Sequence, residues 1–182
     1  MARKQDPLTI EYLLLGIIRQ KPIHAYDLDK LLNEREELNI IWRFNQSQLY
    51  AILEKLEKNH LIESTLEPGA AYPFRKVYVL TEHGEDSFQE WKIKPVDKSR
   101  SLRSEFLAKL YFLNDDPLNT FESVLFRQIE LCEGWVTALE RRLKSVDGES
   151  AYIRMVLQFR LENLNAAVAW LKECLEIRRG LE

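Results

Sequence analysis

The sequence contains little cysteine, glycine or proline, and basic residues are not in excess. Its 182 residues include 2 Cys, 6 Gly and 6 Pro, and the formal net charge is −3. Cys132 and Cys174 lie far apart with no second thiol nearby, which excludes a disulfide scaffold and a Cys-rich zinc site. So few Gly and Pro exclude collagen-like and Pro-rich chains and argue against all-β folds, which need many tight turns. The charge excludes a wholesale nucleic-acid coat protein but allows a local basic face.

The first apolar run, residues 10–18, follows two basic residues in the order of a signal peptide. Glu11 interrupts this run, no small-residue cleavage pattern follows it, and it is too short to span a bilayer. Asp6 suits a helix N-cap, and Pro7 suits the first helical position. We therefore expect a buried N-terminal helix in a cytoplasmic protein rather than a targeting or membrane segment.

Three helices and a hairpin are predicted in the first half. The second helix is expected over about 25–38 and the third over about 45–58, where apolar residues recur at helical spacing. Asn45 and Gln48 form a capping-box pattern at the start of the third helix. Two β-type runs then flank a turn-rich tip at 67–73, which predicts a two-stranded hairpin. A further helix is expected after Thr81.

The second half reads as helix throughout after a polar linker. A short apolar helix is expected over 102–113, followed by long helices over about 117–146 and from about 150 to 179. The first long helix has an apolar residue every three or four positions, close to a heptad seam. A short turn between them predicts an antiparallel helical hairpin. Its apolar surface exceeds what one small domain needs, which favours burial against a partner chain.

The order of three helices and a hairpin is typical of a winged helix-turn-helix, whose second turn-motif helix reads the major groove. We therefore predict a DNA-binding domain over 1–92, a linker over 93–101 and a helical dimerisation domain over 102–182. The third helix is predicted to read DNA bases through its outward side chains, because amides pair with adenine and a methyl group meets thymine. These side chains are Gln46, Ser47, Gln48, Tyr50 and Ala51. The predicted phosphate contacts are Lys55, Lys58, Arg75 and Lys76.

A different class of function stays open on the residues alone. A helix with polar residues outward is also simply a solvated helix, and neither half of the chain has more Lys and Arg than Asp and Glu. The rival interpretation is a ligand-binding or protein-interaction module that retains the winged fold without binding DNA. No Ser elbow, phosphate loop or paired carboxylates suggest an enzyme, and no cofactor is expected. His24, His60 and His83 lack metal-ligand spacing, so no metal site is expected.

Several motifs, in order along nearly the whole chain, carry a resemblance to a known family. They are Leu-Leu-Leu-Gly-Ile-Ile at 13–18, Pro-Ile-His-Ala-Tyr-Asp-Leu at 22–28, Ser-Gln-Leu-Tyr-Ala-Ile-Leu-Glu-Lys-Leu-Glu at 47–57, Tyr-Val-Leu-Thr-Glu-His-Gly at 78–84 and Glu-Phe-Leu-Ala-Lys-Leu-Tyr-Phe at 105–112. The chain resembles PadR-family transcriptional regulators, in the subfamily whose long helical C-terminal domain is similar to that of virulence-gene activators. Ala25 and His60 stand where the family commonly has Gly, so we expect Asn59 to adopt the left-handed conformation after the reading helix.

The resemblance implies a homodimeric DNA-binding regulator, usually a repressor, acting on a pseudo-palindromic operator and not an enzyme. It implies that the C-terminal helices dimerise. The predicted interface residues are Phe121, Leu125, Ile129, Val136, Leu139, Leu164, Trp170 and Leu171. In the family an effector releases DNA by shifting the angle between the domains. We predict that a small aromatic effector would bind among aromatic residues, and the candidates are Trp135, Tyr12, Phe106 and Tyr111.

Overall fold

The computed structural model of the chain describes residues 7–42, 45–67, 75–146 and 150–181. The chain divides into two compact units, Met1–Lys92 and Ile93–Glu182. Their elements, in chain order, are α1 (Pro7–Ile18), β1 (Ile23–His24), α2 (Ala25–Glu34), α3 (Glu36–Asn39), α4 (Gln46–Lys58), β2 (Ile62–Glu67), β3 (Arg75–Leu80), α5 (Glu82–Ile93), a 3-10 helix (Ser99–Arg103), α6 (Glu105–Leu113), α7 (Leu118–Lys144) and α8 (Ala151–Arg179).

The N-terminal unit is a winged helix, as the order of helices and hairpin predicts. Its antiparallel sheet has the strand order β1-β3-β2. In the hairpin, Ile62 pairs with Leu80 and Glu67 pairs with Arg75, whereas the two-residue β1 pairs Ile23 with Tyr78. The predicted hairpin tip lies outside the described residues, apart from its first residue, Glu67. The strand β1 escapes prediction because two residues show no periodicity.

Three apolar faces build the core of the N-terminal unit. The buried leucines of α2 and α4 recur every three or four residues, as one inward helix face requires, whereas α1 buries three consecutive leucines and is enclosed on more than one side. The fully buried leucines of these faces are Leu13, Leu14, Leu15, Leu28, Leu32, Leu49, Leu53 and Leu56. With its apolar side turned inward, α4 leaves its polar side to solvent.

The boundaries of the second predicted helix need one correction. The predicted span 25–38 is two helices, because α2 ends at Glu34 and α3 begins at Glu36. Arg35 between them has extended backbone angles, φ −76° and ψ 114°. Leu38 remains buried, as its position in the apolar pattern predicts. The break therefore interrupts the helix without exposing this inward residue.

The turn after α4 also differs from expectation. Asn59, predicted to be left-handed, has φ −87°, and His60 takes the left-handed conformation instead, with φ 56°. Thr81 fastens this turn, because its hydroxyl lies 2.8 Å from the His60 carbonyl oxygen and accepts the Gly84 N–H at 3.0 Å. Thr81 therefore caps the start of α5, the helix expected after it.

The C-terminal unit is a helical hairpin of α7 and α8 with α6 packed on it. Its core joins Phe106 of α6, Leu125 of α7 and Leu171 of α8. The predicted linker is partly ordered, because residues 99–103 form a 3-10 helix. The predicted break near residue 147 lies outside the described residues. Burial raises the pKa of the two free thiols, Cys132 and Cys174, which disfavours reactive thiolates.

Candidate nucleic-acid interface

The outward face of α4 presents the residues that the sequence predicts to read bases. Asn45 caps the helix, since its side chain accepts the Gln48 N–H at 2.8 Å. This cap satisfies a backbone donor of the first turn of α4 and so stabilises the start of the helix. The exposed side chains of that turn and the next are Gln46, Ser47, Gln48, Tyr50 and Ala51. The structure therefore brings all five together on one exposed helix face.

One member of this face also has a structural task. The Gln48 side-chain oxygen accepts the backbone N–H of Asn45 at 3.4 Å, which completes the capping box. A capping box satisfies two backbone donors that the first helical turn leaves unpaired. A change at Gln48 therefore alters the helix start together with any contact to a ligand, whereas Gln46 carries no such bond.

Lys55, one of the four predicted phosphate contacts, is engaged inside the protein. Its ammonium group forms an ion pair with the carboxylate of Glu11 in α1. The Glu11 side chain is only 8% exposed, whereas that of Lys55 is 48% exposed. A buried carboxylate needs a nearby cation, so Lys55 ties α4 to α1. Its first role is structural, which the sequence cannot show because 44 positions separate the partners.

A second ion pair joins α4 to the hairpin. Glu57 of α4 lies 3.2 Å from the Lys76 ammonium group on β3 and also accepts the Ser64 hydroxyl on β2. The Ser64 hydrogen bond lowers the pKa of the Glu57 carboxyl against the opposing effect of burial, and Lys76 lowers it further. The hydrogen bond to Glu57 raises the pKa of Lys76. Glu57 thus holds both strands against the candidate reading helix, a role that sequence analysis missed.

The other two predicted phosphate contacts are freely placed. Lys58 lies in the last turn of α4 and Arg75 begins β3, and both side chains are exposed. Neither has a carboxylate partner among residues 7–42, 45–67, 75–146 and 150–181. A phosphate group would therefore meet less competition from carboxylates at Lys58 and Arg75 than at Lys55 and Lys76.

A groove of about 990 Å³ runs between the start of α2, the outward side of α4 and β3. Its lining combines three tyrosines with charges of both signs. The lining residues are His24, Ala25, Tyr26, Asp27, Tyr50, Glu54, Glu57, Arg75, Lys76 and Tyr78. Three carboxylates against two cations leave no positive excess. A polyanion would therefore gain little here from charge alone and would depend on specific contacts.

Most of the predicted dimer-interface residues are buried within the core of one chain. Phe121, Leu125, Ile129, Leu164 and Leu171 are each at most 7% exposed, because α7 and α8 turn these side chains toward each other. Val136, Leu139 and Trp170 are half-buried. A side chain that is buried within its own chain offers no surface to a partner chain.

A stripe of exposed apolar side chains lies on the first three turns of α8. Tyr152, Met155, Val156 and Phe159 are 70%, 62%, 38% and 69% exposed. Their spacing of three, four and seven residues places them on one helix face. The buried stripe of the same helix, which includes Leu157 and Leu161, lies on another face. This part of α8 therefore has two apolar faces and covers only one of them.

The predicted effector residues occupy different surroundings. Phe106 is fully buried and packs edge-on against Trp170. Tyr12, in the N-terminal unit, stacks on Trp91 with ring centroids 4.8 Å apart. Trp135 and Tyr111, in the C-terminal unit, are half-buried. These two have surface left for a ligand.

Two kinds of site are absent from the described part of the chain. No group of three or more His, Cys, Asp or Glu side chains there could hold a metal ion. No helix over the same residues is long and apolar enough to cross a membrane.

Comparison with known proteins matches both units. Residues 14–90 match the transcriptional regulator PadR-like family, and residues 102–178 match the virulence activator alpha C-terminal family. The negative transcriptional regulator PadR of Bacillus subtilis is 28% identical over 105 residues, which span 58% of this chain and 57% of that protein. The chain thus spans little more than half the length of this curated relative.

Solved structures give related matches. A PadR-like transcriptional regulator from Bacillus cereus is 30% identical, over 44% of this chain and 75% of that one, with a TM-score of 0.38. The crystal structure of Bacillus subtilis PadR in complex with operator DNA is 23% identical, over 93% of this chain and 98% of that one, with a TM-score of 0.47.

A winged helix followed by a long helical hairpin defines the general class of this protein. Within that class, the chain belongs to the PadR-like family of transcriptional regulators. Members of this family are regulators and not enzymes, in agreement with the prediction from the sequence.

Proposed function

We propose that this protein is a sequence-specific DNA-binding regulator, acting as a homodimeric repressor on a pseudo-palindromic operator in the cytoplasm. The observation that carries the proposal is the exposed, capped first half of α4, where Gln46, Ser47, Tyr50 and Ala51 lie together. The N-terminal part of such a helix is the part that reaches base edges in the major groove. Amide, hydroxyl and methyl groups are the chemistry that distinguishes those edges.

The charges of the N-terminal unit imply a particular kind of binding. Lys58 and Arg75 are available to phosphates, whereas Lys55 and Lys76 already face carboxylates. Each phosphate neutralised on duplex DNA contributes about 0.9 to the logarithmic salt slope. A dimer using two cations per chain would therefore have a slope of about −4, which is shallow. Affinity would come from base contacts, and non-specific binding would be weak.

Selection of bound sequences from a random duplex pool at physiological salt tests the proposal. A two-fold symmetric motif is the expected result, with half-sites about one helical turn apart, roughly 34 Å. Gln46→Ala should relax one position of the motif and weaken specific binding by about 1–3 kcal/mol. Lys58→Ala is the matched control from the same helix and should weaken binding to all sequences alike. No enrichment by a folded dimer would favour the module without DNA binding.

For dimerisation, we propose the exposed stripe of Tyr152, Met155, Val156 and Phe159 on α8. An exposed apolar face of this kind is typical of a protein interface, and two copies of a C2 dimer would each present it. Phe159→Ser should raise the dimer dissociation constant at least tenfold in sedimentation, at a cost of about 1.4 kcal/mol or more. Arg160→Ser, at the next exposed position, should leave it unchanged. An unchanged Phe159→Ser dimer would place the interface elsewhere.

An effector is the remaining part of the proposal, and Trp135 is the residue that supports it. Its ring is half-buried beside the core of the C-terminal unit, where an aromatic molecule would find an apolar wall. Repeating the selection with small aromatic compounds tests this. A compound that releases the operator from the wild type but not from Trp135→Ala would support the assignment, whereas equal release from both would reject this residue.

A further inference from the structure

The segment that follows α5 is held by buried polar side chains of the C-terminal unit. Gln128 of α7 accepts the Val96 N–H at 2.8 Å and donates its side-chain N–H to the Val96 carbonyl at 3.3 Å. Lys109 of α6 donates to the Lys94 carbonyl at 2.7 Å. The backbones of Lys94 and Val96 are thus hydrogen-bonded by side chains from two different helices, α6 and α7.

Both of these side chains are buried where apolar residues would be the simpler choice. Gln128 is 0% exposed and Lys109 is 1% exposed. Burial lowers the pKa of Lys109, and the Glu105 carboxylate, 2.9 Å away, opposes that shift. Burying amide and ammonium groups has a cost that hydrogen bonds at best offset. Packing alone therefore does not account for this choice of residues.

Direction is what hydrogen bonds add to packing. The Val96 side chain already anchors the segment in the apolar core, where it is 2% exposed, but hydrophobic contact is non-directional. The Gln128 amide bonds the N–H and the carbonyl of the same residue, as a neighbouring strand would. This fixes the orientation of the Val96 backbone as well as its position. Lys109 adds a second fixed point two residues earlier, at Lys94.

We propose that Gln128 and Lys109 are positioning residues that fix the direction in which the chain leaves the C-terminal unit toward the winged helix. This inference rests on the proposed function, because the direction matters only to a dimer that must place two reading helices on one operator. Half-site spacing on DNA is then set partly by these two buried side chains. The residues that read bases would be unaffected by their loss, since all of them lie on α4.

The test compares spacing preference in Gln128→Met and Gln158→Met, both in the full-length protein. Methionine has about the size of glutamine but cannot make the two bonds to Val96, and Gln158 is an exposed glutamine of α8. Bound duplexes are selected from a pool in which a fixed pair of half-sites is separated by spacers of varying length. Gln128→Met should reduce the preference for the best spacing over the next at least fivefold, with the half-site motif unchanged. Gln158→Met should retain the wild-type preference.

Amide hydrogen exchange gives a readout that does not depend on DNA. The Val96 N–H lies outside every helix and strand of the described chain, yet the Gln128 bond should slow its exchange at least a hundredfold in the wild type. Gln128→Met should remove that protection. If this variant does not fold, Lys109→Met is measured instead for spacing preference, because it removes the bond to Lys94 together with the ion pair to Glu105 and leaves both Gln128 bonds in place.

The outcomes separate this inference from the proposal on which it rests. A wild type that folds and dimerises but selects no sequence would overturn the proposed function and this inference with it. A wild type with one preferred spacing, together with a variant that loses Val96 protection but keeps that spacing, would overturn the positioning role alone. Unprotected Val96 in the wild type would also overturn it, since the bond would then not form in solution.

Discussion

The N-terminal unit joins short elements through polar contacts, whereas the C-terminal unit packs two long helices and leaves an apolar stripe of α8 uncovered. In the first, no helix exceeds the 13 residues of α4 among those described, and polar side chains such as Glu57 and Thr81 fasten one short element to the next. In the second, α7 and α8 have 27 and 29 residues and are joined mainly by an apolar seam. Long helices gain area for packing but also present a second face that one neighbour cannot cover.

This difference suggests why the two proposed tasks, reading DNA and forming a dimer, would fall to different units. A surface that reads DNA has to be polar and rigid, and short elements joined by polar contacts would provide that. A dimer surface has to be apolar and extended, and the exposed stripe of α8 would provide that. We expect changes in the N-terminal unit to act through close contacts and changes in the C-terminal unit to act through surface area.

The largest expected difference concerns two glycines, one in each unit. A Cβ atom on Gly84 of α5 would lie 2.0 Å from the Leu61 carbonyl oxygen, whereas one on Gly134 of α7 would meet no atom within 4 Å. Because the Leu61 backbone cannot yield as a side chain would, Gly84→Ala should cost about 3 kcal/mol. Gly134→Ala should instead stabilise α7 by about 0.5–1 kcal/mol.

Thermal melts followed by circular dichroism measure both changes. Gly84→Ala should produce an early transition while the signal of the long helices persists, and Gly134→Ala should raise the late transition. A single shared transition in both variants would mean that the two units unfold together, which would weaken the comparison between them.

The next prediction concerns the ion pair of Lys55 with buried Glu11. Lys55→Met leaves a buried carboxylate without its cation, which for fully buried pairs costs about 3–5 kcal/mol. The Lys55 side chain is 48% exposed, so solvent screens part of this and we expect about 2 kcal/mol. The double variant Glu11→Gln/Lys55→Met removes both charges and should recover at least half of the loss in urea unfolding.

The double variant also separates the two roles proposed for Lys55. If this lysine acts only within the fold, the double variant should bind the selected operator with wild-type affinity and salt slope. A folded double variant whose salt slope is reduced by about one unit per chain would show that Lys55 contacts a phosphate as well.

Local signals explain which parts of the fold were predictable. The start of α4 is encoded by Asn45 and Gln48, three positions apart, and the apolar faces follow from spacing within one helix. Short irregular features, such as β1 and the break at Arg35, leave too few residues for any period. Contacts between distant positions, such as Glu11 with Lys55 or Gln128 with Val96, leave no local trace at all.

The candidate site likewise has features that local sequence predicts and features that it does not. The outward side of α4 follows from its inward leucines, so the proposed base-reading residues were predictable as a set. The availability of the cations was not, because it depends on where the carboxylates of other elements lie. The predicted dimer list was open to the same uncertainty, because apolar spacing identifies helix faces but does not show which face the chain itself covers.

A smaller effect is expected where Glu57 joins α4 to the hairpin. Glu57→Gln keeps an acceptor for Ser64 but removes the charge facing Lys76. An exposed ion pair of this kind contributes about 0.2–1 kcal/mol, so stability should fall only slightly. Lys76 is then free for a phosphate, and a carboxylate is removed from the groove. Affinity for the selected operator should rise, and the salt slope should steepen by about one unit per chain.

Acid provides an independent check on the same pair. Because the pKa of Glu57 is lowered in the folded protein, its contribution is present above the ordinary value of 4.5 and is lost as pH falls through the lowered pKa. The stability difference between wild type and Glu57→Gln should therefore be constant above the ordinary pKa of 4.5 and disappear as pH falls through the lowered pKa of Glu57. A difference that persists in strong acid would mean that the charge of Glu57 is not what stabilises the hairpin.

The smallest expected effect concerns the left-handed residue after α4. His60 has φ 56°, a conformation that costs a residue with a side chain about 1–2 kcal/mol. Glycine removes that cost but adds about 0.5–1 kcal/mol of chain entropy in the unfolded state. His60→Gly should therefore stabilise the N-terminal unit by about 0.5 kcal/mol.

Asn59→Gly is the control. Asn59 has φ −87°, so glycine relieves no strain there and should destabilise the unit by a similar amount. If His60→Gly lowered the stability more than Asn59→Gly does, the His60 side chain would have to stabilise this turn by more than its left-handed conformation costs. The His60 ring would then be one of the groups that hold the N-terminal unit together.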